Sequence, residues 1–406
     1  MNPSRTATPS VVEEIQGLYG PFAFSEKLLQ RIWARRGFDA RAARTLDGRR
    51  VEILQAGRWN GLGGPDFMQS RLRLGGVPVT GDVEVHLRAQ DWAAHGHSAD
   101  PAYRNVVLHV VLFPTPENFT PGVDGRSIPI LALLPLLPHD LEEYAAEAAI
   151  EALSGRPAVQ IPRALAALTP EGVAELLREQ ARQRWEIKVA WAVRRIGRLG
   201  WTEACHHTAL EILGYRFNRS PMLAVATRFP LETWRVGGLE LETVWSTERE
   251  SWRVQGVRPA NQPRVRLRQY AAWVAARPDW TERLRRASDA LPVLPAAGET
   301  GRLRRLHGLA GWRLRLATDI CGGGVGGTRF DNLVGDGFLP LLAAESRVDA
   351  AGLWWHWLAG DQPAALTTVL RMLGVFAGPA RPAALGPVQG LLGWLLANGV
   401  DPTARG

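Results

Sequence analysis

The run Val106-Val107-Leu108-His109-Val110-Val111-Leu112-Phe113 is apolar on both faces of a strand. A strand of that kind needs cover above and below, as the interior strand of an α/β sheet has. The residues before it supply neighbours. Leu28, Leu29, Ile32 and Trp33 fall at helical spacing after a capping Ser25, and Gly37 ends that helix. Arg50 to Leu54 reads as a strand, followed by a glycine-rich turn from Gly57 to Gly64. Phe67 to Leu74 alternates Met68, Leu72 and Leu74 against Gln69, Arg71 and Arg73, and Gly75-Gly76 makes a hairpin turn. Val79 to Arg88 sets Val83, Val85 and Leu87 on one face and Asp82, Glu84, His86 and Arg88 on the other. The 17 residues from Ala89 to Asn105 are enough for a crossover, Ser127 to Leu134 adds a strand, and Leu141 to Leu153 reads as a helix. The pattern predicts a small α/β unit with a mixed sheet.

After Ala158 strand signals nearly vanish. Thr169-Pro170-Glu171 is a helix start, with a cap, a proline at the first position and an acid in the first turn. That helix runs to Gly197 or Gly200, with Leu176, Leu177, Ala181, Trp185, Val189 and Ile196 as its buried stripe. Further helices are expected over 202–213, 220–227, 265–276, 281–287, 330–344, 364–376 and 387–397, with loops near 236–262 and 288–301. The expected division is an arm at 1–24, an α/β domain at 25–157 and a helical domain at 158–406.

Composition narrows the class. A chain of 406 residues, 46% hydrophobic and 22% charged, is an ordinary globular sequence, which excludes collagen and wholesale disorder. Two cysteines, Cys205 and Cys321, fit a reducing cytosol. The N-terminus lacks an apolar signal core and carries Glu13 and Glu14, and no long apolar window suggests a membrane span, so a cytoplasmic protein is expected. Charge is uneven. Residues 1–150 hold 15 basic and 17 acidic side chains, net −2; residues 151–320 hold 28 and 17, net +11; residues 321–406 hold 5 and 6, net −1. A basic middle segment suits a polyanion such as nucleic acid, although solvated arginine faces give the same arithmetic.

The residues that carry chemistry lie in Gly64-Pro65-Asp66 and Gly81-Asp82-Val83-Glu84-Val85-His86. Asp66 stands at the mouth of one strand; Glu84 and His86 share a face of the next. Two carboxylates there make a hard oxygen site for Mg²⁺ or Mn²⁺, and His86 could act on a water or on charge building at a phosphate. Such a strand can also show a wet face to solvent. Here the next strand is apolar on both faces, and a covered face with three ionisable groups needs partners or a metal.

Pro65-Asp66, a spacer, and Glu84-Val85-His86 on this order of elements resemble the restriction-endonuclease-like nuclease superfamily, whose pattern is Pro-Asp, then Asp/Glu-x-Lys. The resemblance implies Asp66 and Glu84 as metal ligands, Glu26 or Glu52 as an accessory acid, and phosphodiester hydrolysis. His86 stands where that superfamily has lysine. A second resemblance covers more of the chain. Gly-Pro-Asp-Phe at 64–67, Gly-Asp-Val-Glu-Val-His at 81–86, Asp91-Trp92, His95-Gly96-His97, Asp100 to Tyr103, Val106 to Val111, Arg258 to Asn261 and Gly327 to Asp331 are similar to a bacterial family filed as domain of unknown function 2851. The expectation is a metal-dependent nuclease-like protein; the alternatives are an inactive nucleic-acid-binding or scaffold protein on the same fold, or a hydrolase of a small phosphorylated substrate.

Other clusters have competing readings. His95, His97 and Asp100 suit a separate metal site, substrate contact, or loop capping. Arg88 and Arg329 are further substrate-contact candidates. His109 reads as a satisfied core histidine. Cys205-His206-His207 on a helix point in different directions and cannot easily meet at one ion. The glycine run 322–327 precedes a helix, which Thr328 would cap, but lacks the lysine of a P-loop. Trp354-Trp355-His356-Trp357 cannot all face inward, so an exposed ring is expected at an interface or as a stacking surface.

Overall fold

The computed structural model describes residues 26–60, 63–137, 141, 144–146, 148–149, 163–249, 251–255, 257, 259–376 and 383–398. The arm expected at 1–24, most of the helix expected over 141–153, the boundary expected at 157/158 and Arg258 lie outside the described residues. The chain divides into two compact units, one up to Ala145 and one from Ala146.

The first unit holds a helix and a mixed sheet of seven strands. Helix α1 is Glu26–Arg35, and the strands are β1 Val51–Gln55, β2 Arg58–Trp59, β3 Phe67–Leu74, β4 Val77–His86, β5 Val106–Val111, β6 Phe119–Pro121 and β7 Ser127–Ala132. The sheet order is β1-β3-β4-β5-β7-β6, with β2 also paired to β3. β1, β2 and β4 run antiparallel to β3, whereas β5 runs parallel to β4 and to β7. Pairing therefore changes from antiparallel to parallel at β4. The connection from β4 to β5 carries a four-residue helix, α2 Asp91–Ala94, and a 3₁₀ turn at Pro101–Tyr103. β5 is buried at five of its six positions, as its two apolar faces require. α1 packs against β4 and buries Leu28, Leu29, Ile32 and Trp33, the predicted stripe. β2 and β6 are additions; two or three residues are too short to show a period.

The second unit is mostly helical. Thr169 caps α3, Pro170–Leu213, by accepting the Gly172 N–H, and the helix breaks at Gly200, where φ is 74°. The loop expected at 236–262 contains a helix, Leu241–Thr247. The helix expected over 330–344 is three pieces: Gly327–Asn332, a π segment at Leu333–Phe338, and Leu339–Ser346. Its start is capped by Gly326 with no side-chain bond, so Thr328 lies inside the helix. Trp354 and Trp357 are each 1% exposed, and their indole N–H groups donate to the carbonyls of Gly335 and Asp331. His356 is buried too, and Trp355 is half-buried, so the tryptophan run is interior packing. Among the described residues no helix is long and apolar enough to cross a membrane.

Candidate metal centre

Asp66 immediately precedes β3. The antiparallel pair Phe67–Val83 sets it across from Glu84 on β4. Its N–H donates to Glu84 Oε2 at 3.0 Å, and its own Oδ2 accepts the Val85 N–H at 3.1 Å. Oδ1 accepts from the Gln30 amide of α1 at 2.7 Å, and Gln30 Oε1 in turn accepts from Trp59 Nε1 at 3.1 Å. The turn into Asp66 is tied down by Asn60, whose side chain donates to the Gly63 and Pro65 carbonyls. Gly81 explains the other motif. A Cβ there would meet the Val107 side chain at 2.3 Å and the Asn105 carbonyl at 2.6 Å, so only glycine lets β4 approach β5 this closely. Asp82 is spent on the sheet: it accepts the N–H of Gln69, the left-handed residue of a bulge in β3.

The two carboxylates are poorly compensated. Burial pushes the Asp66 carboxyl up to about 6. Burial, and then the Asp66 charge, push Glu84 up to about 8. Burial also raises Glu26, which acts on both. Among the described residues no arginine or lysine pairs with Asp66 or Glu84; the ion-pair neighbours of Glu84 are His86 and His97.

Those histidines form the other half of the site. His86 Nε2 lies 3.5 Å from Glu84 Oε1 and 3.2 Å from His95 Nδ1. His97 Nε2 lies 3.4 Å from the same Glu84 oxygen. One nitrogen from each of His86, His95 and His97 falls within 4.8 Å of the others. Behind them His86 Nδ1 meets His109 Nε2 at 2.9 Å, and His109 Nδ1 meets Thr120 Oγ1 at 2.7 Å. Tyr103 stacks on His97 at 3.8 Å, and Trp92 packs edge-on to both. Burial, reinforced by neighbouring histidines, pushes His86 down to about 2 and His109 to about 3, so both are neutral.

The structure thus brings together Asp66, Glu84, His86, His95 and His97, with Glu26 beside them. Glu52 is elsewhere: it pairs with Arg73 on the β1–β3 ladder, and Arg73 is seven residues along β3 from Asp66, roughly 20 Å at the ordinary strand rise. Asp100 caps the 3₁₀ turn through the Ala102 N–H, and exposed Arg88 lies over Phe113. Arg329 belongs to the second unit. It is 7% exposed, faces Asp361 and the Ile212 carbonyl, and lies 4.3 Å over the Tyr215 ring. Arg184, Arg195 and Arg266 are also buried there on polar partners, so part of the arginine excess serves packing. His206 is buried on Tyr270 and Phe229, and among the described residues Cys205-His206-His207 gather no ligand cluster. Sequence reasoning missed Gln30, Trp59 and Tyr103. For Gln30 the available signal was a lone amide beside the apolar stripe of α1.

No curated protein and no solved structure is significantly similar to this chain. A family model does match, over residues 26–244, more than half of the chain and all of the site above. The chain is a member of the family described as Protein of unknown function (DUF2851).

Proposed function

We propose that the N-terminal unit is a nuclease-like, Mg²⁺- or Mn²⁺-dependent phosphodiesterase, with a restriction-endonuclease-like arrangement of Asp66 and Glu84. The observation that carries this is a pair of carboxylates, Glu84 buried and Asp66 half-buried, joined through the main chain, with no arginine or lysine among the described residues to neutralise them. Such a pair favours a divalent cation. Each Asp66 oxygen accepts one hydrogen bond and keeps a lone pair for a ligand. A bound ion would supply charge neutralisation at a phosphate oxygen and a more acidic water. Gln30 and the Val85 N–H hold Asp66 in place, and the Asp66 N–H holds Glu84. The Nε2 of His86 faces Glu84 and can orient a water. Nucleic acid is the proposed substrate, on the strength of the basic excess over 151–320.

The test is cleavage of single- and double-stranded DNA and RNA in Mg²⁺ and Mn²⁺, wild type beside Asp66→Ala. Metal-dependent cleavage lost in a folded Asp66→Ala supports the reading; equal activity in that variant overturns it. One observation favours a second reading, a binding protein without turnover. Neutral His86, tied to His109, gives no fixed positive charge where the superfamily has lysine. That reading predicts a salt-sensitive mobility shift with no metal requirement.

A further inference from the structure

We propose that His86, His95, His97 and Glu84 form a nitrogen-rich site for a zinc-class transition-metal ion, separate in donor set from the Asp66–Glu84 oxygen pair and sharing Glu84 with it. The geometry is the first argument. Zinc binds nitrogen and oxygen at about 2.0–2.1 Å, so neighbouring donors of a tetrahedron stand about 3.3–3.4 Å apart. Three of the six separations of such a tetrahedron are 3.2 Å for His86 Nε2 to His95 Nδ1, 3.4 Å for His97 Nε2 to Glu84 Oε1, and 3.5 Å for His86 Nε2 to Glu84 Oε1; the three imidazoles offer nitrogens within 4.8 Å of one another, with Glu84 beside two of them. Three imidazoles and one carboxylate are donors that select zinc and its neighbours over magnesium.

The second argument is an orphan. His97 Nε2 is buried and makes no hydrogen bond, although it is aimed at Glu84 Oε1. A buried polar atom without a partner is costly, and an ion between the two would satisfy both. The third argument is the support behind His86. A chain in which His86 Nδ1–H donates to His109 Nε2, and His109 Nδ1–H donates to Thr120 Oγ1, satisfies His86 Nδ1 and both nitrogens of His109 and turns the His86 Nε2 lone pair toward the cluster. Ligating histidines are commonly oriented in this way. Exposed His95 gives an entry path.

The ion would fasten the connection that carries His95 and His97 to β4. It would also bring the fixed positive charge that neutral His86 lacks. The site shares Glu84 and His86 Nε2 with the phosphodiesterase reading, where that nitrogen would orient a water instead; the clustering of its three imidazoles stands without that reading.

The experiment uses the full chain, stripped with a chelator and titrated with Zn²⁺ by calorimetry and with Co²⁺ by visible absorption. The wild type is expected to bind zinc and to give the intense ligand-field bands of tetrahedral cobalt. His95→Ala and His97→Ala should weaken zinc by about 100-fold or more, beyond what loss of an outer-shell partner costs. His95 is exposed, so its variant should stay folded, as circular dichroism would show. Asp66→Asn should keep the cobalt bands. The proposal is overturned if the folded wild type binds no zinc, if both histidine variants bind as the wild type does, or if the bands vanish in Asp66→Asn and persist in the histidine variants. Zinc binding without nucleic-acid cleavage would sink the phosphodiesterase reading and leave this one standing.

Discussion

Glu84 Oε1 and His97 Nε2 stand 3.4 Å apart in the interior of the N-terminal unit, and the histidine nitrogen makes no hydrogen bond. The other Glu84 oxygen accepts the Asp66 N–H. One carboxylate therefore meets the Asp66 main chain on one side and imidazole on the other. That division follows from the sheet. The antiparallel partner β3 delivers Asp66, and the connection toward the parallel partner β5 delivers His95 and His97.

Gln30 should position Asp66. Its amide donates to Oδ1 and accepts from Trp59, so Gln30→Ala frees the carboxylate to rotate while removing little packing. Trp59 is 43% exposed, and water can replace its lost acceptor. The expected result is a Mn²⁺ affinity about 10-fold lower by calorimetry, as for other outer-shell losses, with an unchanged melting temperature. Affinity equal to wild type would remove Gln30 from the site.

Thr120 should act on the histidine cluster from two residues away. In the chain that presents the His86 lone pair, Thr120 Oγ1 accepts the last proton. Thr120→Val keeps the shape and removes the acceptor. Zinc affinity should fall about 10-fold, with stability lower by about 1–3 kcal/mol for the stranded N–H. Thr120→Ser should restore both. A serine variant as weak as the valine one would show that packing, not the hydroxyl, matters.

How much of this was legible in the sequence depends on the length of the signal. Val106–Val111 showed its two apolar faces and Leu72 and Leu74 their alternation, which the bulge at Gln69 interrupts so that Phe67 is buried and Met68 only half-buried; the meeting of Asp66 with Glu84 followed from strand order. β2 and β6 carried no period to see. His95 and His97 meet His86 only because of the path taken by a 17-residue connection, which no local pattern specifies. Alternation put Asp82 on the polar face with Glu84 and His86, but it reports the face of a strand and not the bulge in the neighbour that Asp82 holds. The helix expected over 330–344 is interrupted by a π segment containing Gly335 and Gly337. A Cβ at either would press into Leu385 or into Ile212 and Thr208, contacts far away in sequence.

Two glycines in the helical unit should respond in opposite directions. Gly390 lies on α4, Leu385–Ala397, where an added Cβ would meet the Leu177 carbonyl oxygen of α3 at 2.3 Å. Backbone cannot move aside as a side chain can, so Gly390→Ala should cost about 2–3 kcal/mol. Gly197 on α3 has open space around its Cβ position and an ordinary helical backbone. Gly197→Ala should stabilise by about 0.5–1 kcal/mol through helix propensity. Urea unfolding of the two variants checks both signs, and a neutral Gly390→Ala would contradict the close approach of α3 and α4.

Acid should unfold the helical unit through its buried histidines. His206 donates Nε2–H to the Phe229 carbonyl and accepts from Tyr270, and burial, then His207, push it down to about 3. Burial, then the Arg195 charge, push His207 down to about 4. Both values lie below the unfolded value of about 6.5. The unfolded chain therefore takes up protons first as pH falls, and the stability these groups contribute above about 6.5 is lost toward pH 4 and 3. The slope is about 1.4 kcal/mol per histidine per pH unit in that window. His207→Gln removes one of the two titrations. Its stability relative to wild type should therefore improve by about 2 kcal/mol between pH 7 and pH 5. Urea unfolding of both proteins at the two pH values measures this, and parallel profiles would show that His207 is not buried neutral.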